Sequence, residues 1–163
     1  MDVRKARLTD VDSIVSMWRE LIGDFGYFVK KNPKLRPYIM KKKNAHLVFR
    51  KYVKKIIRSR NGIIFIAEDG KTPAGYCLCK IEKNIPVFSL EKFGCISDLY
   101  VREKYRNIGL SSAFRKEAFS WFRKKGMKHA SIKTNVGNRR ARDIYRKWGF
   151  HEDMVDMWMR IEN

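Results

Sequence analysis

Arg106-Asn107-Ile108-Gly109-Leu110-Ser111-Ser112 is the stretch on which the fold turns. It follows a strand-like run, Ser97-Asp98-Leu99-Tyr100-Val101, and opens a helix-like one whose apolar positions are Leu110, Ala113, Phe114, Ala118, Trp121 and Phe122. A glycine-bearing turn between a strand and a helix gathers backbone N–H groups at the positive end of a helix dipole. Such a turn suits a phosphate ligand.

About thirty residues on, a second run reads Asn138-x-x-Ala141-x-x-x-Tyr145-x-x-x-Gly149-Phe150. The spacing puts Asn138, Ala141 and Tyr145 on one helix face, so a phenol is available to the far end of a ligand held at the first turn. A strand-length run at 128–135 lies between the two motifs.

Together these residues resemble the GNAT superfamily of acetyl-CoA-dependent N-acetyltransferases. That family's phosphate loop reads Arg/Gln-x-x-Gly-x-Gly/Ala, and Arg106, Gly109 and Ser111 stand at the three key positions. Serine replaces the usual Gly or Ala at the last of them. Ser97–Val101 is similar to the family's fourth strand, and Asn138…Tyr145…Gly149-Phe150 to its last helix and the turn after it.

The resemblance implies a single domain over residues 1–163 of the α/β (α+β) class, with a mixed, mostly antiparallel central sheet flanked by helices. It implies acetyl-CoA as co-substrate and a primary amine of a protein, peptide or small molecule as acceptor. The amide groups of Asn107, Ile108, Gly109, Leu110, Ser111 and Ser112 would hold the pyrophosphate, with Arg106 adding charge. The backbone along Leu99, Tyr100 and Val101 would pair with the pantetheine amides as another strand would, and Asn138 would hydrogen-bond the pantetheine arm. Tyr145 is the catalytic candidate: its family counterpart lies near the CoA sulfur and protonates the departing thiolate. A tyrosine can also bury its ring on the helix stripe, and both roles are compatible.

Transfer to an amine further requires that the amine be neutral when it attacks. Some relatives carry a glutamate early in the fourth strand, where Cys95 stands here, and others have one at the position of Ser97. Asp98 is the remaining carboxylate candidate for the base; the alternative is a structural carboxylate paired with nearby Arg or Lys. His46 and His151 read as ordinary surface or packing residues.

A chain of 163 residues, 44% of them hydrophobic, suits one folded domain rather than a disordered tail. The N-terminus lacks a signal-peptide core and no apolar run reaches membrane-spanning length, so the expected compartment is the cytoplasm. Cys77, Cys79 and Cys95 read as reduced thiols in the sheet. Cys77-x-Cys79 has the wrong spacing for a zinc knuckle, its two side chains are expected on opposite faces, and no metal is expected. A monomer or a homodimer is expected.

The formal charge is +20, and it is unevenly spread. From Phe25 through Ala67 no residue is acidic while thirteen are Lys or Arg. A solvated basic surface, steering of polyanionic CoA, and contact with RNA or an acidic protein through this 25–67 region all stay open. The last of these gives a second functional class, a binding module on a GNAT-like fold.

Along the chain the reading is a strand at Val3–Arg7, a helix capped by Thr9 and ended by Gly23 and Gly26, and an irregular or partly helical crossing over Lys30–Lys43. A second helix starts at Asn44 with the stripe Ala45, Val48, Phe49, Tyr52, Val53, Ile56 and Ile57. Strands follow at Ile63–Glu68, Ala74–Glu82 and Gly94–Val101, the first two joined by a hairpin at Asp69-Gly70. After the phosphate loop come a helix closed by Gly126, a strand at His129–Thr134, a helix from Asn138 to Trp148, and a half-exposed strand over Val155–Ile161.

Overall fold

The computed structural model describes residues 1–31 and 33–161. The chain divides into two compact units, one of Met1–Leu21 with Asn44–Lys133, the other of Ile22–Lys43 with Thr134–Asn163.

The first unit is built on a five-stranded sheet in the order β1-β2-β3-β4-β5. Its strands are β1 (Val3–Lys5), β2 (Gly62–Asp69), β3 (Thr72–Lys83), β4 (Lys92–Val101) and β5 (Ala130–Ile132). The first three pairings are antiparallel and β4–β5 is parallel, which a strand–helix–strand crossover requires. The expected mixed, mostly antiparallel sheet is therefore present. Gly70, at φ +61°, turns the β2–β3 hairpin where Asp69-Gly70 predicted it.

Helices cover both faces of this sheet. Against one lie the start of α1 (Val11–Lys31) and α3 (Ala45–Arg58); α2 is the short helix Arg36–Ile39 of the other unit. Val11, Ile14, Met17, Phe49, Val53 and Ile56 from the two helices pack on Ile64, Ile66, Tyr76, Leu78 and Tyr100 of the sheet. Trp18 stacks on Phe49 with ring centroids 4.3 Å apart. Val48, expected in the α3 stripe, is instead exposed. The other face carries α4 (Leu110–Lys124), whose Leu110, Phe114, Ala118 and Phe122 pack on Phe65, Ala67, Cys77, Cys79 and Ile96.

The depth at which α4 sits depends on a missing side chain. A Cβ on Gly94 would come within 2.4 Å of the Phe122 ring, so any larger residue in β4 would push the helix off the sheet. The C-terminal end of the helix is therefore held close to β4.

Several sequence expectations are corrected here. Cys77 and Cys79 share the α4 face, with their sulfurs 3.5 Å apart, because residues two apart in a strand point the same way. Thr9 does not cap α1. Residues Leu8–Asp10 form a 3₁₀ turn in which the Asp10 carboxylate accepts the Arg7 N–H at 2.6 Å and both Arg4 terminal nitrogens at 2.8 and 2.9 Å. The bond from Arg4 is the main reason the Asp10 carboxyl is held below its usual range. Gly23 and Gly26 do not end α1, which runs on to Lys31; a helical glycine costs about 1 kcal/mol against alanine and need not stop the helix.

The second unit holds α2 and α5 (Arg139–Lys147). Asn138 caps α5, its side-chain oxygen accepting the Ala141 N–H at 3.2 Å, and Gly149 at φ +90° closes it as expected. The α5 stripe of Ala141, Ile144, Tyr145 and Trp148 is half-buried rather than buried. The strand expected over Val155–Ile161 does not form. Residues 151–161 carry no regular structure, and Val155, Met157, Met159 and Ile161 are exposed. Alternation marks a segment able to be a strand, but a strand also needs a neighbour for its backbone, and no ladder reaches this segment among the described residues.

Candidate functional site

The site in the first unit begins with an irregularity in β4. Leu78 pairs with Asp98, yet Cys79 pairs with Ile96, which leaves Ser97 as an extra residue. Such a bulge bends its strand and reverses the alternation beyond it. Ile96 lies on the α4 face; two residues on, strict alternation would return Asp98 to it, but the bulge turns Asp98 to the opposite face. There the Tyr76 hydroxyl donates to the Asp98 carboxylate at 2.9 Å. Burial pushes the Asp98 carboxyl above its usual range, and the bond from Tyr76 opposes only part of that.

Beyond the bulge, β4 loses its neighbour. β5 pairs with Gly94, Cys95 and Ile96 alone, so among the described residues no strand pairs with residues 97–101 on that side, and their edge is open. The Arg102 N–H reaches the Ala74 carbonyl in the direction of β3 at 2.9 Å. Backbone groups alternate sides along a strand, so those of Tyr100 also face β3 while those of Leu99 and Val101 face the open edge. The Val101 carbonyl is already engaged there, accepting from Arg106 Nε at 2.9 Å.

The chain then makes a one-turn 3₁₀ helix, Glu103–Tyr105, and reaches α4 through two residues with positive φ, Asn107 at +67° and Gly109 at +85°. A Cβ on Gly109 would meet no atom within 4 Å, so the backbone angle, not crowding, is what calls for glycine. The first bond of the helix runs from Ala113 N–H to the Gly109 carbonyl at 3.0 Å. That leaves the Leu110, Ser111 and Ser112 amides ahead of the intrahelical ladder, with no acidic residue in the first turn and no side-chain cap from Gly109. The result is a helix N-terminus facing an anion's requirements, beside the end of an open strand edge.

A brace that the sequence reading did not find fixes this end of β4. Arg102 donates Nε and Nη2 to the Glu20 carboxylate at 2.8–3.2 Å and Nη1 to the Pro73 carbonyl at 2.8 Å. The Tyr100 hydroxyl adds a bond to Glu20 at 3.0 Å. Arg102 first, and Tyr100 after it, hold the Glu20 carboxyl below its usual range. Tyr105 donates to Asp69 at 3.2 Å and ties the following turn to the hairpin. Tyr100, predicted along the ligand-binding edge, thus turns its hydroxyl to Glu20 and its amide to β3. The signal that could have found the brace is weak: Glu20 and Arg102 are 82 residues apart.

Asn138 and Tyr145 belong to the second unit. There the Tyr145 ring lies against Trp148 at 5.5 Å and edge-on to Phe150 at 6.3 Å, with the Phe150 N–H bonded to the Tyr145 carbonyl at 3.0 Å. Arg142 and Arg146 both bind Glu152 at 2.7 Å, which fastens the chain after Gly149 back to α5.

The cysteines are buried and free. The hydrogen bond with Cys79, together with burial, pushes the Cys77 thiol up, away from the reactive thiolate. Among the described residues no group of His, Cys, Asp and Glu has a metal-binding arrangement, and no helix is long and apolar enough to cross a membrane.

Comparison with known proteins agrees with this geometry. The chain is 24% identical over 162 residues to an uncharacterized N-acetyltransferase of Methanocaldococcus jannaschii; the match takes in 98% of this chain and 65% of that protein, so the chain spans less than two thirds of its relative's length. It is 26% identical over 160 residues to an N-alpha-acetyltransferase of Sulfurisphaera tokodaii, covering 94% of this chain and 81% of the relative. A predicted acetyltransferase of Clostridium acetobutylicum, solved with acetyl-CoA, has the same fold with a TM-score of 0.76 at 15% identity, over 99% of this chain and 95% of that one. The model of the acetyltransferase (GNAT) family matches residues 21–150, a span that includes β4, the Gly109 turn and α5, and the chain belongs to that family.

Proposed function

We propose that the protein is an acetyl-CoA-dependent N-acetyltransferase acting by direct attack of a primary amine, and that both units form one acyltransferase domain. The observation that carries this reading is the open β4 edge ending beside the Gly109 turn and the uncapped start of α4. A strand edge fits the two amides of a pantetheine arm, and the helix start fits a pyrophosphate. The family match across both units and the names of the relatives support it.

Acetyl-CoA supplies the acetyl group as a thioester. The amides from Asn107 to Ser112 hold its pyrophosphate, Ser111 tolerated in place of Gly or Ala, and Arg106 adds charge while its Nε stays on Val101. Leu99 and Val101 offer backbone groups to the pantetheine, and the Asn138 side chain keeps its NH₂ for the same arm while its oxygen caps α5. Tyr145 gives its phenol proton to sulfur as the carbon–sulfur bond breaks and the new carbon–nitrogen bond forms. Asp98 takes the proton lost by the amine, and its upward shift brings it nearer the pH at which a base works best.

The name of the Sulfurisphaera tokodaii relative, an N-alpha-acetyltransferase, supports trying α-amines first among acceptors. An α-amine, with a solution pKa of about 7.7–8.0, is partly neutral at physiological pH and asks little of a base. That agrees with a β4 that carries Cys95 and Ser97 where some relatives have glutamate. Many cations argue against a polyamine acceptor. The test is an acetylation screen over peptides with free N-termini, lysine peptides and small amines, read by mass gain of one acetyl group. Transfer to an amine is expected, and acetyl-CoA consumption with no acylated amine in any class would overturn the reading.

Asp98→Asn separates a base from a brace. The amide can still accept from Tyr76, so the fold is expected to hold, while kcat/KM at neutral pH falls roughly tenfold or more. The loss should shrink as pH rises toward the pKa of the amine, which then needs no help. A pH-independent change would mean that Asp98 is structural.

A further inference from the structure

Much of the positive charge lies far from the site just described. On α3, Lys51, Lys54, Lys55 and Arg58 are exposed and line one shallow depression that ends at Ser59. Ser59 also borders a crevice of about 220 Å³ flanked by Lys5, Arg60, Lys125 and Trp121. Seven cations therefore follow one another along a continuous surface of the first unit. No carboxylate lines either depression, and α3 contains no acidic residue. The described residues give none of the seven an ion-pair partner; Arg4, Arg50 and Arg102, by contrast, each hold a carboxylate.

Two plain explanations fall short. Cations at the end of a helix favour its dipole, but that covers only Lys55 and Arg58 in the last turn of α3 and Lys125 at the end of α4. Steering of CoA does not explain the place either. Lys125 follows the last turn of α4 and Gly109 precedes its first, so 15 residues, about 22 Å of helix, separate this surface from the proposed pyrophosphate turn.

We infer that this track, Lys51–Lys54–Lys55–Arg58 continuing to Arg60, Lys5 and Lys125, is a docking surface for double-helical nucleic acid, gripped by its phosphates. Like charges this dense repel one another and are relieved by an anion of matching charge density. Between Lys51 and Arg58 the exposed residues are cations alone, Tyr52 and Ile57 being half-buried and the exposed Leu47 and Val48 lying at the other end of α3, whereas protein interfaces concentrate aromatic and apolar side chains at their centre. No exposed aromatic ring is offered along α3 for unstacked bases, which favours a duplex over a single strand. Four of the seven cations stand on one helix, so the backbone that carries them needs no ordering before they meet phosphates.

The inference does not depend on the acetyltransferase reading, and its test keeps them apart. Fluorescence anisotropy would follow binding of a short RNA duplex and a DNA duplex of the same sequence between about 50 and 200 mM salt. A steep salt dependence is expected, with a log–log slope of about −4 or beyond. The triple variant Lys54→Ser, Lys55→Ser, Arg58→Ser should lose tenfold or more in affinity and flatten the slope by about 2–3, at 0.9 for each phosphate contact removed. Its acetyl-CoA affinity should not change. A matched triple at the opposite end of the sheet and mid-α4, Lys71→Ser, Lys104→Ser, Lys116→Ser, should stay within about threefold of the parent in duplex affinity. Binding to either duplex with this pattern supports the proposal, and the tighter one names the source. Equal losses in both triples, no duplex binding, or equally tight binding to polyglutamate or to anionic vesicles would overturn it.

Discussion

Gly109→Asp should abolish most acetyl-CoA binding, with affinity falling roughly 100-fold or more in calorimetry. Two effects act together. Gly109 sits at φ +85°, ψ 0°, where a side chain costs about 1–2 kcal/mol, although aspartate bears this better than most residues. The larger effect is electrostatic. A carboxylate at the helix start lies against a pyrophosphate, and two unit charges about 4 Å apart at an effective dielectric near 20 repel by about 4 kcal/mol. Each 1.4 kcal/mol is tenfold in affinity. Because the new Cβ meets open space, the fold bears only the backbone strain and the variant should melt a few degrees below the parent, still folded at assay temperature, so the loss reads as binding rather than unfolding. Gly109→Ala carries the backbone cost without the charge and should lose about tenfold or less. Unchanged affinity in Gly109→Asp would place the pyrophosphate elsewhere and remove the observation on which the proposed function rests.

Tyr145→Phe should leave acetyl-CoA affinity and the fold in place while turnover falls by roughly 10²–10⁴, the usual weight of a general acid. The ring keeps its contacts with Trp148 and Phe150, since both are made by carbon faces and edges rather than by the hydroxyl. A thiolate leaving without a proton donor must wait for water, and that wait is the expected loss. The comparison needs the acceptor found in the screen and a rate limited by chemistry, checked by single-turnover kinetics. Turnover within twofold of the parent under those conditions would assign Tyr145 to packing alone.

The two proposals fail separately. A silent Gly109→Asp result leaves the duplex-binding surface on α3 untouched, and a failed duplex assay leaves the helix start and the open edge of β4 as they are. The brace of Glu20, Tyr100 and Arg102 keeps the end of β4 in place from the β3 side, while Arg106 of the phosphate motif holds the Val101 carbonyl from the other.

What the sequence by itself determined is local and periodic. The Asp69-Gly70 hairpin, the strand before Arg106, the glycine that opens α4, and the Asn138 and Gly149 that bound α5 are all written in residue types whose backbone preferences act within a few positions. The parallel pairing of β4 with β5 followed, because a strand–helix–strand passage demands it. The tertiary structure alone decided three things. Ser97 is an extra residue only relative to β3, so the flip that puts Asp98 on Tyr76 exists in the register between strands and in neither strand alone. Glu20 meets Arg102 across 82 residues, a distance no spacing rule spans. Val155–Ile161 has the alternation of a strand but no ladder in the described structure, because strand pairing is a property of two segments and a sequence pattern describes only one.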